Sequence, residues 1–154
     1  FGVKENPFFK DLPLEEAKGE LITIYAPELN IDFLLKSALF LIPLGANKYK
    51  VGATFNHVDK TSVPTEKGKL ELVEKLKKVI CVPYEIIDQT AGIRPTTNDR
   101  RPFVGKHKEY ERLAVLNGLG TRGVMLAPTM ARSLFNYIEK NETLDLEIDI
   151  KRFY

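Results

Sequence analysis

Three strand-forming runs lie between Gly19 and Thr54, with no helical face among them. In Gly19 to Ala26, Leu21, Thr23 and Tyr25 alternate against Ile22 and Ile24, a β-branched and aromatic pattern that predicts a strand covered on both faces. Ser37 to Leu44 and Lys48 to Thr54 flank Gly45-Ala46-Asn47, a short turn-forming segment that predicts a β-hairpin. Strands joined by so short a turn must run antiparallel, which directs the chain away from alternating β-α-β winding.

The first strong helical pattern comes later. From Thr65 to Ile80 the apolar residues Leu72, Val73, Leu76, Val79 and Ile80 share one helical face, with lysines and glutamates opposite, and Thr65 is placed to cap the start. Tyr84 to Arg94 returns to a strand pattern and Pro95-Thr96-Thr97-Asn98-Asp99 has a loop composition. Leu113 to Asn117 is an apolar run of buried-strand type. A last helix is expected to begin near Met125 or Ala127, with Pro128 in its first turn, and to end around Lys140. The alternation from Leu144 to Ile150 predicts an edge strand or an extended tail. The fold class expected is α+β: a mostly antiparallel sheet with a flanking helix, plus a C-terminal strand and helix.

Composition narrows the function classes. With 44% hydrophobic and 29% charged residues, the 154-residue chain has the makeup of a globular domain. A formal net charge of +2 gives no electrostatic case for nucleic acid or a membrane surface. No apolar run approaches the roughly 20 residues that span a bilayer. The single cysteine, Cys81, lies in the run Val79-Ile80-Cys81-Val82, where a small buried hydrophobe is expected, and a cytoplasmic setting follows from the lack of any disulfide framework. His57 and His107 stand isolated among polar neighbours and are expected at the surface, so no metal site is read. Tyr25, Tyr49 and Tyr84 are expected in the core rather than around a pocket. The chain opens on Phe1-Gly2-Val3 rather than Met, and we expect it to begin inside a longer protein.

Two segments have the makeup of a site. In Asn117-Gly118-Leu119-Gly120-Thr121-Arg122-Gly123-Val124-Met125-Leu126-Ala127-Pro128 a strand breaks into three glycines and then enters a helix. Glycines let backbone approach a ligand closely, and the unpaired N–H groups of a first helical turn favour negative charge. A tight turn between packed elements explains the same spacing equally well. In Gly92-Ile93-Arg94-Pro95-Thr96-Thr97-Asn98-Asp99-Arg100-Arg101-Pro102-Phe103-Val104-Gly105 an arginine ends a strand. A guanidinium fixed there suits bidentate capture of a carboxylate, and a structural ion pair is the alternative. Arg100 and Arg101, beside Asp99, are expected to be solvated.

These two segments, in this order, resemble the D-amino-acid oxidase superfamily of FAD-dependent enzymes, especially its glycine-oxidase and sarcosine-oxidase-like members. Ala17-Lys18-Gly19-Glu20-Leu21, the strand ending in Val51-Gly52-Ala53-Thr54, and Glu147-Ile148-Asp149-Ile150-Lys151-Arg152-Phe153 resemble further parts of the same enzymes, so the likeness covers nearly the whole chain. It implies a C-terminal half, with a substrate-domain part at about 17–95 and a return to the FAD domain at about 96–154. The half with the Gly-x-Gly-x-x-Gly turn that grips the FAD diphosphate is absent, and a chain without it is expected to bind FAD poorly alone.

The resemblance also implies roles. Gly118, Leu119, Gly120, Thr121, Arg122, Gly123, Val124 and Met125 would line the flavin, with the helix start near its pyrimidine edge, where partial positive charge favours the reduced form. Arg94 matches the arginine that holds the substrate carboxylate, and Thr121 would face the substrate too. Oxidation of a small-molecule amine or amino acid would pass hydride from the α-carbon to flavin N5, without a metal and with no side chain cast as acid or base. One departure stands out. Glycine oxidases carry a second arginine at the position of Thr121, whereas Gly-Leu-Gly-Thr here is closer to the flavin domain of the bacterial tRNA wobble-uridine modification enzyme. Three readings follow: an amine-oxidising fragment, a tRNA-modification flavin domain in which Lys75, Lys77, Lys78, Arg100 and Arg101 would have to form one basic surface, and a binding domain without catalysis.

Overall fold

The computed structural model describes residues 6–154; the opening Phe1-Gly2-Val3 lies outside the described residues. The elements in chain order are β1 (Leu14–Tyr25), β2 (Leu35–Lys36), β3 (Phe40–Gly45), β4 (Lys48–Gly52), α1 (Glu66–Leu76), β5 (Glu85–Thr97), β6 (Phe103–Lys106), β7 (Ala114–Asn117) and α2 (Gly123–Glu139), with 3-10 turns at Gly120–Arg122 and Ile150–Phe153. This is the mixed α and β fold with an antiparallel sheet and two helices that the sequence predicts. The described residues divide into two compact units: residues 17–93, and residues 6–16 with 94–154.

The unit of residues 17–93 is built on a sheet of order β2-β3-β4-β1-β5, in which β2 with β3, β3 with β4 and β4 with β1 pair antiparallel. The β3–β4 hairpin turns through Ala46 and Asn47, both at positive φ, as predicted. Strand alternation puts Lys18, Glu20, Ile22 and Ile24 on one face of β1. Ile22 lies opposite Val51 and Ile24 opposite Tyr49, and these pack with Leu41 against Leu72, Leu76 and Ile80. Tyr84 packs at the edge of this core, while Tyr25, on the other face, is exposed, contrary to expectation.

The polar end of the same β1 face holds the entrance to α1. Glu20 accepts hydrogen bonds from the Thr65 N–H and hydroxyl, both at 2.7 Å, and from the Gln89 amide at 2.9 Å. Thr65 in turn caps the helix by accepting from the Gly68 N–H at 3.0 Å. Gly68 is needed because a Cβ there would lie 2.4 Å from the Glu20 carboxyl carbon. Burial pushes the Glu20 carboxyl up, but these hydrogen bonds outweigh it and leave it below its ordinary value. Fully buried Lys18 donates to Asp59 at 2.6 Å and to the Val63 carbonyl, tying down the segment that leads into α1. The hydrogen bond from Lys18 holds the Asp59 carboxyl down at about 2, and the one to Asp59 raises the Lys18 ammonium.

Several boundaries differ from expectation. Helix α1 stops at Leu76 rather than Ile80, and a tightened turn, with the Lys78 N–H donating to Lys75 O and the Val79 N–H to Leu76 O, returns Ile80 to the core. That turn leaves Cys81 exposed instead of buried. Strand β5 runs through Pro95, Thr96 and Thr97, which read as loop, because it lies at the sheet's end, where a missing N–H costs no ladder bond.

In the other unit β6 and β7 pair antiparallel, with Phe103 opposite Asn117, and Phe9, Leu12, Phe103, Val115 and Ile150 form a small core. His107 is no free surface residue: its Nε2 bonds the Phe8 carbonyl at 2.8 Å, while Nδ1 accepts from the Glu109 and Tyr110 N–H groups. Helix α2 starts at Gly123, two residues before the earliest predicted start, because the 3-10 turn winds directly into it, and Pro128 sits in its second turn. The alternating stretch Leu144 to Ile150 is not a strand. Asp145 Oδ1 accepts from the Glu147 N–H and Asp149 Oδ1 from the Lys151 N–H, local bonds that curl the chain into turns.

Two stability outcomes follow. Thr65→Ala should lower unfolding free energy by about 1 kcal/mol or somewhat more in urea titration, since it removes the helix cap and a Glu20 partner together. Asp59 is held below its unfolded value, so its contribution is complete above about pH 4 and fades as pH falls towards about 2. Acid unfolding of Asp59→Asn should therefore show a weaker pH dependence in that window and none added near neutrality.

Candidate functional site

The glycine turn and the end of β5 meet inside the unit of residues 94–154. Gly118 is buried at φ +69°, and a Cβ placed on it would lie 2.6 Å from Thr97 Cγ2. Gly120 has φ +56°, and its Cβ position lies 3.8 Å from Thr96 Cγ2. Both glycines satisfy a left-handed backbone that other residues adopt at a cost, and Gly118 also satisfies a close approach. Thr96 and Thr97 are themselves fixed: Thr96 donates to the Glu15 carbonyl at 3.1 Å and Thr97 to the Arg101 carbonyl at 2.9 Å. These two threonines are the site residues that sequence reading passed over, and the signal was their β-branched type directly after Arg94-Pro95.

Arg94 lies two residues before Thr96, so strand alternation puts it on the face that meets Gly120. It is half-buried, and desolvation pushes its guanidinium below the ordinary value while leaving it charged at neutral pH. Gly118 is covered, whereas Thr121, Arg122, Val124 and Met125 are exposed, Val124 almost wholly at 97%. Arg122 donates to the Arg100 carbonyl at 3.0 Å, so at least this part of its guanidinium serves the loop after β5. Arg100 and Arg101 are exposed as predicted, Arg101 pairing with Glu147 at 3.0 Å.

The start of α2 has the chemistry of an anion-facing end. No side chain caps it and no acidic residue stands in its first turn. Its N–H groups and the macrodipole therefore favour a ligand oxygen carrying negative charge. Among the described residues no group of three His, Cys, Asp or Glu is placed to hold a metal ion, and no helix is long and apolar enough to cross a membrane.

Residues 3–136 match the DAO family of FAD dependent oxidoreductases. The chain belongs to that family. It is 29% identical over 147 residues to a glycine oxidase of Bacillus licheniformis, covering 91% of this chain and 40% of the relative. It is 28% identical over 126 residues to the tRNA 5-methylaminomethyl-2-thiouridine biosynthesis bifunctional protein of Idiomarina loihiensis, covering 78% of this chain and 20% of the relative. The crystal structure of glycine oxidase from Geobacillus kaustophilus superposes with a TM-score of 0.74 at 27% identity, covering 88% of this chain and 38% of that one. The chain thus spans about two fifths or less of the proteins it matches.

FAD is the cofactor of this DAO chain, and the residues present fit it: a glycine turn held against two threonines, a helix start without a competing acidic side chain, and an arginine on the adjoining strand face.

The close approach is directly testable. Gly118→Ala should cost about 2 kcal/mol, from the clash and the positive φ together. Adding Thr97→Ser removes the clashing methyl and keeps the hydroxyl, so the double variant should recover the steric share in thermal unfolding. Gly123→Ala, whose nearest contact would be an ordinary 3.6 Å to Leu119 Cβ, should change stability little.

Proposed function

We propose that this chain supplies the substrate-facing part and the flavin-facing turn of an FAD-dependent oxidoreductase acting on an amino acid or secondary amine of glycine or N-substituted-glycine type. The observation that carries the reading is the packing of Gly118 and Gly120 on Thr97 and Thr96, with Arg94 on the same strand face as Thr96. FAD, when bound, accepts a hydride at flavin N5. Residues Gly118 to Met125 would hold the flavin, the open start of α2 lying towards its pyrimidine edge. Arg94 would bind the substrate carboxylate by a two-pronged, charge-assisted contact, and Thr121 would border the amine's substituent. Holding the α-carbon in line with its acceptor is then the chain's main contribution to rate.

Helix α2 supports the presence of a dinucleotide-binding half in the working protein. Val124, Met125 and Phe135 are exposed on a helix with no buried residue. In the proposed assembly that half covers them and holds the FAD diphosphate. A cytoplasmic setting accords with this chemistry.

The tRNA reading keeps one specific support. Thr121 stands exposed where the resembling glycine oxidases place a second arginine, which leaves room for a substituent larger than hydrogen on the amine nitrogen.

The test is anaerobic mixing of the flavin-loaded protein with glycine, N-methylglycine and a carboxymethylaminomethyl-modified uridine. Bleaching of the flavin band by the small amines supports the amine reading, and bleaching by the nucleoside alone supports the tRNA reading. Arg94→Met should raise the apparent dissociation constant of the small carboxylate substrate about a hundredfold, roughly 3 kcal/mol, with the flavin band unmoved. An unchanged constant overturns the role given to Arg94.

A further inference from the structure

Arg152 stands in the C-terminal 3-10 turn, outside every segment assigned to the site above, yet its guanidinium is the hub of the loop that follows β5. Its Nη2 donates to the Pro102 carbonyl at 3.1 Å and to Asp99 Oδ2 at 3.3 Å, and reaches the Arg101 carbonyl at 3.5 Å. Its Nη1 donates to the Asp149 carbonyl at 2.9 Å. The guanidinium carbon lies 5.1 Å from the Phe103 ring centroid and 4.5 Å from that of Phe153, so both aromatic faces steady it.

The loop it holds is fastened by side chains. The Arg100 carbonyl accepts from Arg122, the Arg101 carbonyl from Thr97 and Arg152, and the Pro102 carbonyl from Arg152. Arg100 sits at φ +58°, a left-handed conformation unfavourable for a residue with a Cβ. Burial pushes the Asp99 carboxyl up, but bonds from the Arg101 N–H and from Arg152 help keep it lowered and charged. Among the described residues Arg152 Nε is a buried side-chain nitrogen with no hydrogen-bond partner.

The loop touches the glycine turn from two sides. Thr97, at its start, fills the space over Gly118, and Arg122, at the entrance to α2, is anchored on its Arg100 carbonyl. We propose that Arg152 is a positioning residue: by clamping residues 99–102 it fixes Thr97 and Arg122, and through them the glycine turn that meets the flavin. The proposal rests on the flavin reading of that turn.

The test compares Arg152→Met, which keeps a stem between the two phenyl rings and loses every donor, with Arg152→Lys, which restores a cation. In hydrogen exchange, Arg152→Met should speed exchange of the Arg100 and Arg101 amides about tenfold while the amides of β4 and α1 keep their rates. In the flavin-loaded protein it should lower kcat per bound flavin about tenfold with KM for N-methylglycine within threefold, and Arg152→Lys should recover most of the loss. A merely structural arginine would lower the melting temperature and leave kcat per bound flavin alone; that result, or unchanged exchange at Arg100 and Arg101, overturns the proposal. If neither glycine nor N-methylglycine reduces the wild-type flavin, the amine reading fails separately. The clamp is then decided by the FAD dissociation constant, which should rise about tenfold in Arg152→Met and overturns the clamp if it does not. Should Arg152→Met fail to fold, Asp99→Asn weakens the Arg152 contact while keeping an oxygen for the Arg101 N–H, and should move the same readouts in the same direction by a smaller factor.

Discussion

The place a Cβ would occupy on Gly118 is filled by the Thr97 methyl, and the candidate site depends on that approach. It brings the end of β5 against the loop that leaves β7, closer than any side chain at residue 118 would permit. Beside that contact Gly118 turns through positive φ, the chain coils through Gly120–Arg122, and α2 begins at Gly123. The direction in which the first N–H groups of α2 are presented is therefore set by a methyl group on a strand. Thr97 is in turn held by its hydroxyl to Arg101, so a steric constraint and a polar one share a single residue.

The unit of residues 17–93 answers to the two-residue repeat of β1. Lys18, Glu20, Ile22 and Ile24 share one face, and the helix placed on that face receives an apolar floor and a polar doorway from the same strand. Sliding the strand by one residue would put the ammonium of Lys18 and the carboxylate of Glu20 on the wrong side and strand both without partners. Buried charges therefore specify register here, at a desolvation cost that their hydrogen bonds offset.

What could be read in the sequence divides along physical lines. The hairpin was legible because Gly45-Ala46-Asn47 has no other good use, and the Thr65 cap because a hydroxyl before an amphipathic run meets an unmet donor. The glycine turn and Arg94 were visible as residue types, but not their common neighbourhood, because Thr96 and Thr97 hide behind Pro95. Proline reads as a strand breaker unless the strand is known to lie at a sheet's end, and that is topology, not local pattern. The C-terminal alternation misled for another reason. Its polar residues are aspartates, and a short carboxylate bonding the backbone two residues on competes with the ladder that alternation predicts. Arg152 stood in the sequence only as part of the run Glu147 to Phe153 and drew no role of its own, because a single charged residue carries no periodic signal.

The two helices show why the same apolar content means different things. In α1 Leu72, Val73 and Leu76 share one stripe, Leu72 and Leu76 are fully buried, and the opposite face carries lysines and glutamates with the exposed Leu70. Such a helix is finished once it lies on one sheet. Helix α2 carries Val124, Met125, Leu126, Met130, Leu134, Phe135 and Ile138, and none of them is fully buried. Apart from Met125 its apolar residues share one broad face opposite Thr129, Arg132, Ser133 and Asn136, and that face stays partly open. A helix start that no side chain caps, beside exposed Val124 and Met125, joins polar and apolar contact within one turn. On the proposed reading that pairing matches a flavin, whose ring system offers a flat apolar face and a rim of acceptors, and the remaining flank of α2 is left for the half that binds the dinucleotide.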